Sequence, residues 1–296
     1  MLRRLAGRLG WGLLVALVLY GGLQFAAGRL DPANPGMRDG PCPAADPDDP
    51  FYLGRIVLLT VAGHPPGLGD WADLCVYQAD NARIATSGHW PREVFIGDSI
   101  TQYWGMHRPA FFGPDRVNRG IAGQTSAQLL VRFTPDVLAL HPRVVHILVG
   151  VNDALGKRGS ARPEDYRNNI RAMLTLARAE GIAVVLGAIP PADGDGYAAV
   201  PGVAARVREL NAWLREEATR RGAVHADYWS VLAGPDGTMR RELSGDGLHP
   251  DPSAFALLEP VARNALAEAG RRAALLAPAP ARAQGMVAAS HFEKAR

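Results

Sequence analysis

A serine, an aspartate and a histidine occur in this chain in the sequence settings of a nucleophile system. Ser99 ends the sequence Phe-Ile-Gly-Asp-Ser, and Asp246 and His249 lie much further on, in the sequence Asp-Gly-Leu-His. A serine hydroxyl is a weak nucleophile near neutral pH, and it becomes effective when a histidine accepts its proton and a carboxylate orients that histidine. The three residues therefore have the chemistry of a nucleophile, a base and an orienting acid.

Asp246 precedes His249 by three residues, a spacing that in a turn or a first helical turn puts both side chains on one face. We therefore expect the Asp246 carboxylate to hold the imidazole through Nδ1, so that Nε2 faces Ser99. Asp-Gly is also a common turn pair, which would give Asp246 a purely structural role.

Two further polar sequences lie between these residues, each where a predicted strand ends. Asn-Arg-Gly ends at Gly120, and Gly-Val-Asn-Asp contains Asn152. A tetrahedral oxyanion needs donors fixed in advance, and we expect the backbone N–H groups of Ser99 and Gly120 and the side-chain amide of Asn152 to supply them. A glycine at position 120 allows the backbone to approach the substrate without a Cβ. The neighbouring polar residues are predicted to be structural: Asp98, Arg119 and Asp153.

Each of these sequences alone has a structural explanation. Gly-Asp-Ser is typical of a helix N-terminus, because Asp and Ser both cap helices. Asn-Asp after a buried strand is typical of a turn. The occurrence of all four sequences in this order favours one assembled catalytic site.

Taken together, the four sequences resemble the blocks of the SGNH hydrolase superfamily, the GDSL-type esterases, lipases and acylhydrolases. Those blocks are Gly-Asp-Ser, a glycine, Gly-x-Asn-Asp and Asp-x-x-His. The resemblance covers roughly residues 92–268 and includes the longer sequences Phe-Ile-Gly-Asp-Ser-Ile-Thr and Asn-Arg-Gly-Ile-Ala-Gly-Gln-Thr.

The resemblance implies a function for each block. Ser99 would be the nucleophile, Gly120 and Asn152 would be oxyanion donors, and Asp246 and His249 would complete the triad. It also implies hydrolysis of carboxylic esters through an acyl-serine intermediate, without a cofactor.

Short apolar runs alternate with amphipathic segments through this region, which predicts repeated β-α units. Such units build a three-layer α/β/α domain that binds ligands at the carboxyl ends of its strands. The resemblance implies a flavodoxin-like parallel sheet with strand order 2-1-3-4-5. The predicted strands are 94–96, 116–118, 144–149, 182–189 and 224–228. Two predicted helical faces comprise Tyr166, Ile170, Met173, Leu174 and Ala177, and Val203, Val207, Leu210 and Leu214.

Three residues close to the predicted catalytic residues are candidates for a substrate pocket. Tyr103 and Trp104 follow the nucleophile, and Leu248 precedes the histidine. Packing of the helix that follows Ser99 is an equal alternative for Trp104. A loop rich in glycine and proline, residues 190–197, follows the fourth predicted strand and is also expected near the site.

Several functions fit these residues. An esterase could act on a small-molecule ester, on an O-acetylated carbohydrate, or on a lysophospholipid or other lipid ester. A catalytically silent ligand-binding domain would share the scaffold, although the intact Ser99, Asn152 and His249 argue against it. A nucleotide-binding domain is disfavoured, because the first strand is followed by neither Gly-x-Gly-x-x-Gly nor a lysine-bearing phosphate loop.

The distribution of charge argues against nucleic acid as a partner. The chain has 296 residues, 48% of them hydrophobic, and a formal net charge of +3. The basic excess lies in the two ends, 1–30 and 271–296, and the middle of the chain has 23 basic and 28 acidic residues. A nucleic-acid-binding domain needs clustered excess base to meet phosphates.

The first thirty residues are typical of an export segment. Arg3, Arg4 and Arg8 precede an uncharged stretch over residues 9–28. We expect residues 1–30 to be a signal peptide or a membrane anchor formed by residues 9–28. Basic residues before the apolar run predict a catalytic domain outside the cytoplasm, either in the periplasm or secreted.

The remaining sequence divides into an extension, a hydrolase domain and a tail. Residues 31–90 are predicted to be a linker and accessory extension, with a strand over 56–61 and a helix over 71–84. The hydrolase domain is predicted over 91–270 and a disordered tail over 271–296. Cys42 and Cys75 are the only cysteines, and in an exported chain they are either a disulfide that ties the extension to the domain or two free thiols.

The other seven histidines show no paired metal-ligand spacing, so we expect no metal site. His146 and His225 lie in apolar strand-like runs and are predicted to be half-buried core residues. The seven are His64, His89, His107, His141, His146, His225 and His291.

Overall fold

Five parallel strands form one sheet in the order β2-β1-β3-β4-β5. The computed structural model describes residues 70–157, 162–192 and 200–274. The predicted strand order and the three-layer arrangement are both confirmed. The strands are β1 Glu93–Gly97, β2 Arg116–Gly120, β3 Val144–Leu148, β4 Ala183–Gly187 and β5 Val224–Ala226.

Helices cover both faces of this sheet. One face of the sheet carries two helices that pack on each other, namely the helix after β1 and the last helix of the described chain. The other face carries the helices that follow β2, β3 and β4. The α-helices of the described residues are α1 Gln78–Ser87, α2 Ser99–His107, α3 Ser126–Asp136, α4 Val151–Ala154, α5 Pro163–Ala179, α6 Val203–Arg221, α7 Trp229–Leu232 and α8 Pro252–Ala273.

All five predicted strands are present, and no strand end differs from its predicted position by more than two residues. β2 continues to Gly120 because it pairs with β1 as far as Gly97. β4 ends before Ile189, because the N–H and the carbonyl of Ile189 both bond to the side chain of Asn211 instead of continuing the ladder. The interiors of the three central strands, β1, β3 and β4, are buried on both faces, as parallel sheets covered by helices require.

An aromatic cluster fills the core between the sheet and helices α2 and α8. Phe95 stacks on His146 with ring centroids 4.3 Å apart, and Trp104 packs edge-on against Phe95. His146 is fully buried rather than half-buried as predicted, and its Nε2 lies 2.7 Å from the Tyr228 hydroxyl. Burial lowers the pKa of His146 to about 3, so this imidazole is a neutral core residue. His225 is half-buried, as predicted.

The extension before β1 differs from its prediction. The helix predicted over 71–84 begins only at Gln78 and ends at Ser87, because the residues before it form turns in which Asp73 has a φ of +56°. Cys75, in these turns, is disulfide-bonded. Cys42 and the predicted strand 56–61 lie outside the described residues, so the Cys42–Cys75 pairing stays a prediction.

Only part of the two predicted chain ends, 1–30 and 271–296, falls within the described residues. Helix α8 continues to Ala273, beyond the predicted domain end at residue 270, and Arg271 and Arg272 in its last turn pair with Glu268. The export segment 1–30 and most of the predicted tail lie outside the described residues. Within the described ranges, no helix combines the length and apolar character needed to cross a membrane.

A buried arginine joins the ends of the two central strands. The Arg132 guanidinium, on α3, donates to the carbonyls of Gly97 and Arg119, at 3.1 and 2.7 Å. It also pairs with the Asp136 carboxylate at 2.7 Å and donates to the Gln124 side chain at 2.6 Å. Arg132 and Asp136 are both buried almost completely, so each depends on the other for compensation of its charge.

We expect Arg132→Met to lower the free energy of unfolding by roughly 3–5 kcal/mol, because Asp136 would become a buried carboxylate without its cation. Denaturant unfolding followed by circular dichroism measures this loss. Arg143→Met, at an exposed arginine before β3, is the matched control and should change the value by about 0.5 kcal/mol or less. A loss under about 1 kcal/mol for Arg132→Met would contradict the role assigned to the guanidinium.

Candidate active site

The turn between β1 and α2 presents Ser99 at the carboxyl edge of the sheet. A Cβ at Gly97 would collide with the Thr101 side chain and the Leu148 carbonyl, so only glycine lets the helix begin so close to the strand. Asp98 caps the helix by accepting from the Ile100 N–H at 3.0 Å. Ser99 is therefore the first residue of α2, where backbone N–H groups lack helical partners.

Ser99, His249 and Asp246 form one chain of hydrogen bonds. The Ser99 Oγ lies 3.0 Å from His249 Nε2, and His249 Nδ1 lies 2.7 Å from Asp246 Oδ2. Ser99 is buried and the two other side chains are partly exposed. The arrangement can move a proton from the serine to the imidazole, with the carboxylate on the far side of the ring.

The Asp246 carboxylate is held by its own turn. Its Oδ1 accepts from the backbone N–H groups of Leu248 and His249, at 2.9 and 2.8 Å, and from the Ser244 hydroxyl at 3.2 Å. Partial burial acts to raise the pKa of Asp246, but the hydrogen bonds from His249 and Leu248 outweigh it and lower the pKa to about 2. Asp246 is therefore an anion throughout the neutral range.

Asn152 lies at the same edge of the sheet, in the short helix after β3. Its Nδ2 donates to the Gln124 carbonyl at 2.9 Å, and the side chain is buried. The next residue, Asp153, accepts from the backbone N–H and the hydroxyl of Ser126. These bonds fix the loops after β2 and β3 to each other, and one of the two amide hydrogens of Asn152 remains for a ligand.

The prediction that Gly120 supplies an oxyanion donor is corrected by the structure. Gly120 is the last residue of β2, and its N–H already donates to Asn118 Oδ1 at 2.8 Å. A Cβ there would collide with the backbone of Gln102 in α2. The glycine is needed for close packing of α2 on β2, and its N–H is not free for a substrate.

Gly123 is a candidate backbone donor that the sequence reasoning missed. It lies in the β2–α3 loop, residues 121–125, with a φ of +77°. Neighbouring N–H groups of this loop donate to Gly97, Gln102 and Ile121, whereas the Gly123 N–H donates to no other residue in the described ranges. The signal was present in the sequence, because a free backbone donor has to lie beyond the strand and Gly123 is the second glycine of Asn-Arg-Gly-Ile-Ala-Gly.

The three pocket candidates have different surroundings. The Tyr103 ring is partly exposed and lies 5.1 Å from the His249 ring. Trp104, the next residue on the helix, points into the core and is fully buried, because successive helical side chains point about 100° apart. Leu248 is also buried, and it contributes its backbone N–H to Asp246. Trp104 thus has the packing role that was its alternative, and Leu248 is corrected from a pocket residue to a core residue.

Arg119 has the structural role predicted for it, and part of the predicted loop 190–197 lies outside the described residues. Arg119 is buried, pairs with Asp80 at 2.8 Å and stacks over the Tyr77 ring. In the loop after β4, residues 193–197 lie outside the described ranges. Over 70–157, 162–192 and 200–274, no three His, Cys, Asp or Glu side chains are arranged to hold a metal ion.

Asp98, beside the nucleophile, has an environment opposite to that of Asp246. It is buried and receives one backbone hydrogen bond, from Ile100. Burial raises the pKa of Asp98 to about 7, and the nearby Asp153 carboxylate acts in the same direction. The carboxyl group next to Ser99 in sequence is thus only partly ionised at neutral pH.

The chain is similar in sequence to known ester-hydrolysing proteins. The model of the GDSL-like lipase/acylhydrolase family matches residues 95–257. Esterase TesA of Pseudomonas aeruginosa is 35% identical over 136 residues, which cover 45% of this chain and 60% of TesA. The chain thus spans less than two thirds of the length of that relative.

Two solved structures from Bacteroides species share the fold. A Bacteroides fragilis protein assigned as an acylhydrolase has 32% identity and a TM-score of 0.65, and the match covers 69% of this chain and 100% of that one. A GDSL-like lipase of Bacteroides thetaiotaomicron has 29% identity and a TM-score of 0.63, with 68% and 100% covered.

We expect Asp98→Asn to become more stabilising as the pH rises. The pKa of Asp98 is higher in the folded protein than in the unfolded chain, so the wild type loses stability between about pH 4 and about pH 7. Asparagine keeps an acceptor for the Ile100 N–H and does not ionise. The free energy of unfolding of the variant, relative to that of the wild type, should therefore rise by up to about 1.4 kcal/mol per pH unit between about pH 4 and about pH 7.

Denaturant unfolding at pH 4.5, 6 and 8 tests this expectation, with the exposed Glu242→Gln as the matched control. A stability difference between Asp98→Asn and wild type that is the same at all three pH values would contradict the raised pKa.

Proposed function

The chain belongs to the GDSL-like lipase/acylhydrolase family, and from this premise we propose that it is an exported serine esterase that cleaves carboxylic esters through an acyl-serine intermediate. The observation that carries the proposal is the continuous hydrogen bonding from Ser99 through His249 to Asp246. These residues come from the two ends of the hydrolase domain and meet with distances suited to proton transfer.

In the first step, the Ser99 Oγ attacks the ester carbonyl carbon and its proton passes to His249 Nε2. The imidazolium that forms is stabilised at Nδ1 by Asp246, whose lowered pKa keeps it ionised. The tetrahedral intermediate then breaks its bond to the alcohol oxygen, which takes the proton back from Nε2. An acyl-serine and a free alcohol result.

Water completes the reaction by the same route. His249 Nε2 accepts a proton from the water that attacks the acyl-serine carbonyl, and returns it to Ser99 Oγ as the acyl bond breaks. A carboxylic acid is released and the hydroxyl of Ser99 is restored. Apart from water, both steps use only side-chain and backbone groups of the protein.

We assign the oxyanion to three donors. They are the Ser99 N–H at the start of α2, the Gly123 N–H and the Asn152 side-chain amide. Support for Asn152 comes from its bond to Gln124, which fixes the amide without using both hydrogens. Support for Gly123 in place of Gly120 comes from the hydrogen bonding of the two backbone N–H groups.

For the substrate we propose an ester with an apolar acyl chain. The relatives named above are an esterase, a lipase and an acylhydrolase, which have ester hydrolysis in common. Tyr103 lies beside His249, and Met106, three residues further on the same helix, is 67% exposed. Side chains three residues apart on a helix are neighbours, so the two offer an apolar surface next to the reacting serine.

We also propose that the enzyme works outside the cytoplasm. The basic residues and the uncharged run 9–28 support an export segment, acting as a signal peptide or as an anchor. The disulfide bond at Cys75 supports an oxidising compartment, because disulfides are rare in cytosolic proteins.

Ser99→Ala should lower ester hydrolysis by roughly 10⁴-fold or more while the protein stays folded, since the nucleophile is lost. A short-chain chromogenic ester measures the activity, and mass spectrometry after treatment with an organophosphonate should locate the label on Ser99. Ser253→Ala, at an exposed serine of α8, is the matched control and should keep wild-type activity. Appreciable hydrolysis by Ser99→Ala, or a label on another serine, would overturn the proposal.

Tyr103→Ala should lower kcat/KM for an octanoyl ester about tenfold more than for an acetyl ester, because it removes apolar contact with the chain. Tyr103→Phe keeps the ring and should behave like the wild type. Acetylated sugars are assayed in parallel with esters of graded acyl length. Faster hydrolysis of acetylated sugars than of octanoyl esters by the wild type would contradict an acyl-chain site and favour a carbohydrate O-acetylesterase.

A further inference from the structure

Residues 70–77, which we call the strap, lie against the β2–α3 loop although they precede the first strand of the sheet. The Ala72 carbonyl and the Asp73 carboxylate accept from the Gln124 side chain, at 3.0 and 2.8 Å. The Tyr77 hydroxyl donates to the carbonyl of Gly120 at 2.5 Å. The strap therefore contacts the last residue of β2 and the following loop near its end.

The Gln124 side chain can bind in one orientation only. Its Nε2 donates to the two strap oxygens, and its Oε1 accepts from the Arg132 guanidinium at 2.6 Å. An amide exchanged end for end would turn its oxygen towards the strap oxygens and its N–H groups towards a cation. Because Gln124 is fully buried, the strap oxygens are needed to satisfy its two N–H bonds.

The backbone of the same residue faces the proposed oxyanion site. The Gln124 carbonyl accepts from Asn152 Nδ2 at 2.9 Å, and Gly123 directly precedes it. The carbonyl thus fixes the direction of the remaining amide hydrogen of Asn152. A continuous set of contacts runs from the strap, through Gln124, to a group assigned to the transition state.

The strap itself is locally constrained. Asp73 has a φ of +56°, a conformation that costs energy for a residue other than glycine and persists where the surroundings impose it. The Cys75 N–H donates to the Asp70 carboxylate at 2.6 Å, and Cys75 is disulfide-bonded. Asp73 is therefore held in place from both sides while it binds Gln124.

We propose that Asp73 and Gln124 are positioning residues for ester hydrolysis: the strap holds Gln124 so that its carbonyl aims the Asn152 amide at the oxyanion. The inference rests on the proposed function, in which Asn152 stabilises that oxyanion. It extends the set of residues that position the oxyanion donors to Asp73, which precedes all four motifs. A strap that only stabilised the fold would change stability without acting through Asn152.

The test uses the full chain with its disulfide intact and a chromogenic ester. Asp73→Gly removes the carboxylate and keeps the backbone conformation, because glycine adopts a positive φ readily. We expect kcat to fall about tenfold with KM little changed, since the lost interaction is realised in the transition state. Asp73→Asn keeps an oxygen acceptor and tolerates the same φ, so it should restore kcat to within about twofold of wild type.

A double-mutant cycle separates positioning from stability. Asn152→Ala alone should lower kcat by on the order of 10²-fold. If the strap acts through Asn152, adding Asp73→Gly to that variant should lower kcat by no more than about a further twofold. Arg83→Ala, at an exposed residue of α1, is the control and should keep the wild-type kcat. Thermal unfolding checks that each variant is folded at the assay temperature.

Two results would overturn the inference. One is a kcat within twofold of wild type for Asp73→Gly, and the other is a full tenfold loss on top of Asn152→Ala, which would show that the strap acts independently of the amide. Failure of the proposed function looks different. In that case Ser99→Ala keeps its activity or Asn152→Ala keeps its kcat, whatever the strap variants do.

Discussion

The geometry of the site depends on one buried cation. The Arg132 guanidinium takes its acceptors from the end of β1, the end of β2, the β2–α3 loop and its own helix. A buried guanidinium is tolerated only when its donors are satisfied and its charge is paired. All four segments must therefore be in place at once, and two of them lead directly into the nucleophile turn and the loop with Gly123.

Two aspartates of the candidate site, Asp98 next to Ser99 and Asp246 beyond His249, show how burial and hydrogen bonding set the charge of a carboxyl group. Asp246 receives backbone N–H groups from its turn and has a pKa lowered to about 2, whereas the buried Asp98 has a pKa raised to about 7. The fixed negative charge therefore lies on the far side of the imidazole. The carboxyl group of Asp98, which precedes Ser99, is only partly ionised at neutral pH.

Features that depend on short motifs and apolar runs could be predicted from the sequence. Features that depend on contacts between residues far apart in the chain could not. Ser99, Asp246 and His249 carry recognisable motifs, and the five strands follow from continuous apolar segments. Gly120 was misassigned because the pairing of β2 with β1 as far as Gly97, which no local pattern shows, puts it inside the strand. The strap was read as a helix because nothing near Asp73 in sequence reveals its contact with Gln124, some fifty residues later.

The strap extends the folded unit towards the N-terminus, beyond the start of the family match. The family match begins at residue 95, yet the Gln124 side chain, buried among residues of the matched region, finds two of its acceptors at Ala72 and Asp73. A protein shortened to begin at β1 would retain every motif and expose the amide that those acceptors cover. Domain boundaries drawn by motif alone would thus separate Gln124 from its acceptors, and residues 70–77 are better regarded as part of the hydrolase domain than as part of a linker leading to it.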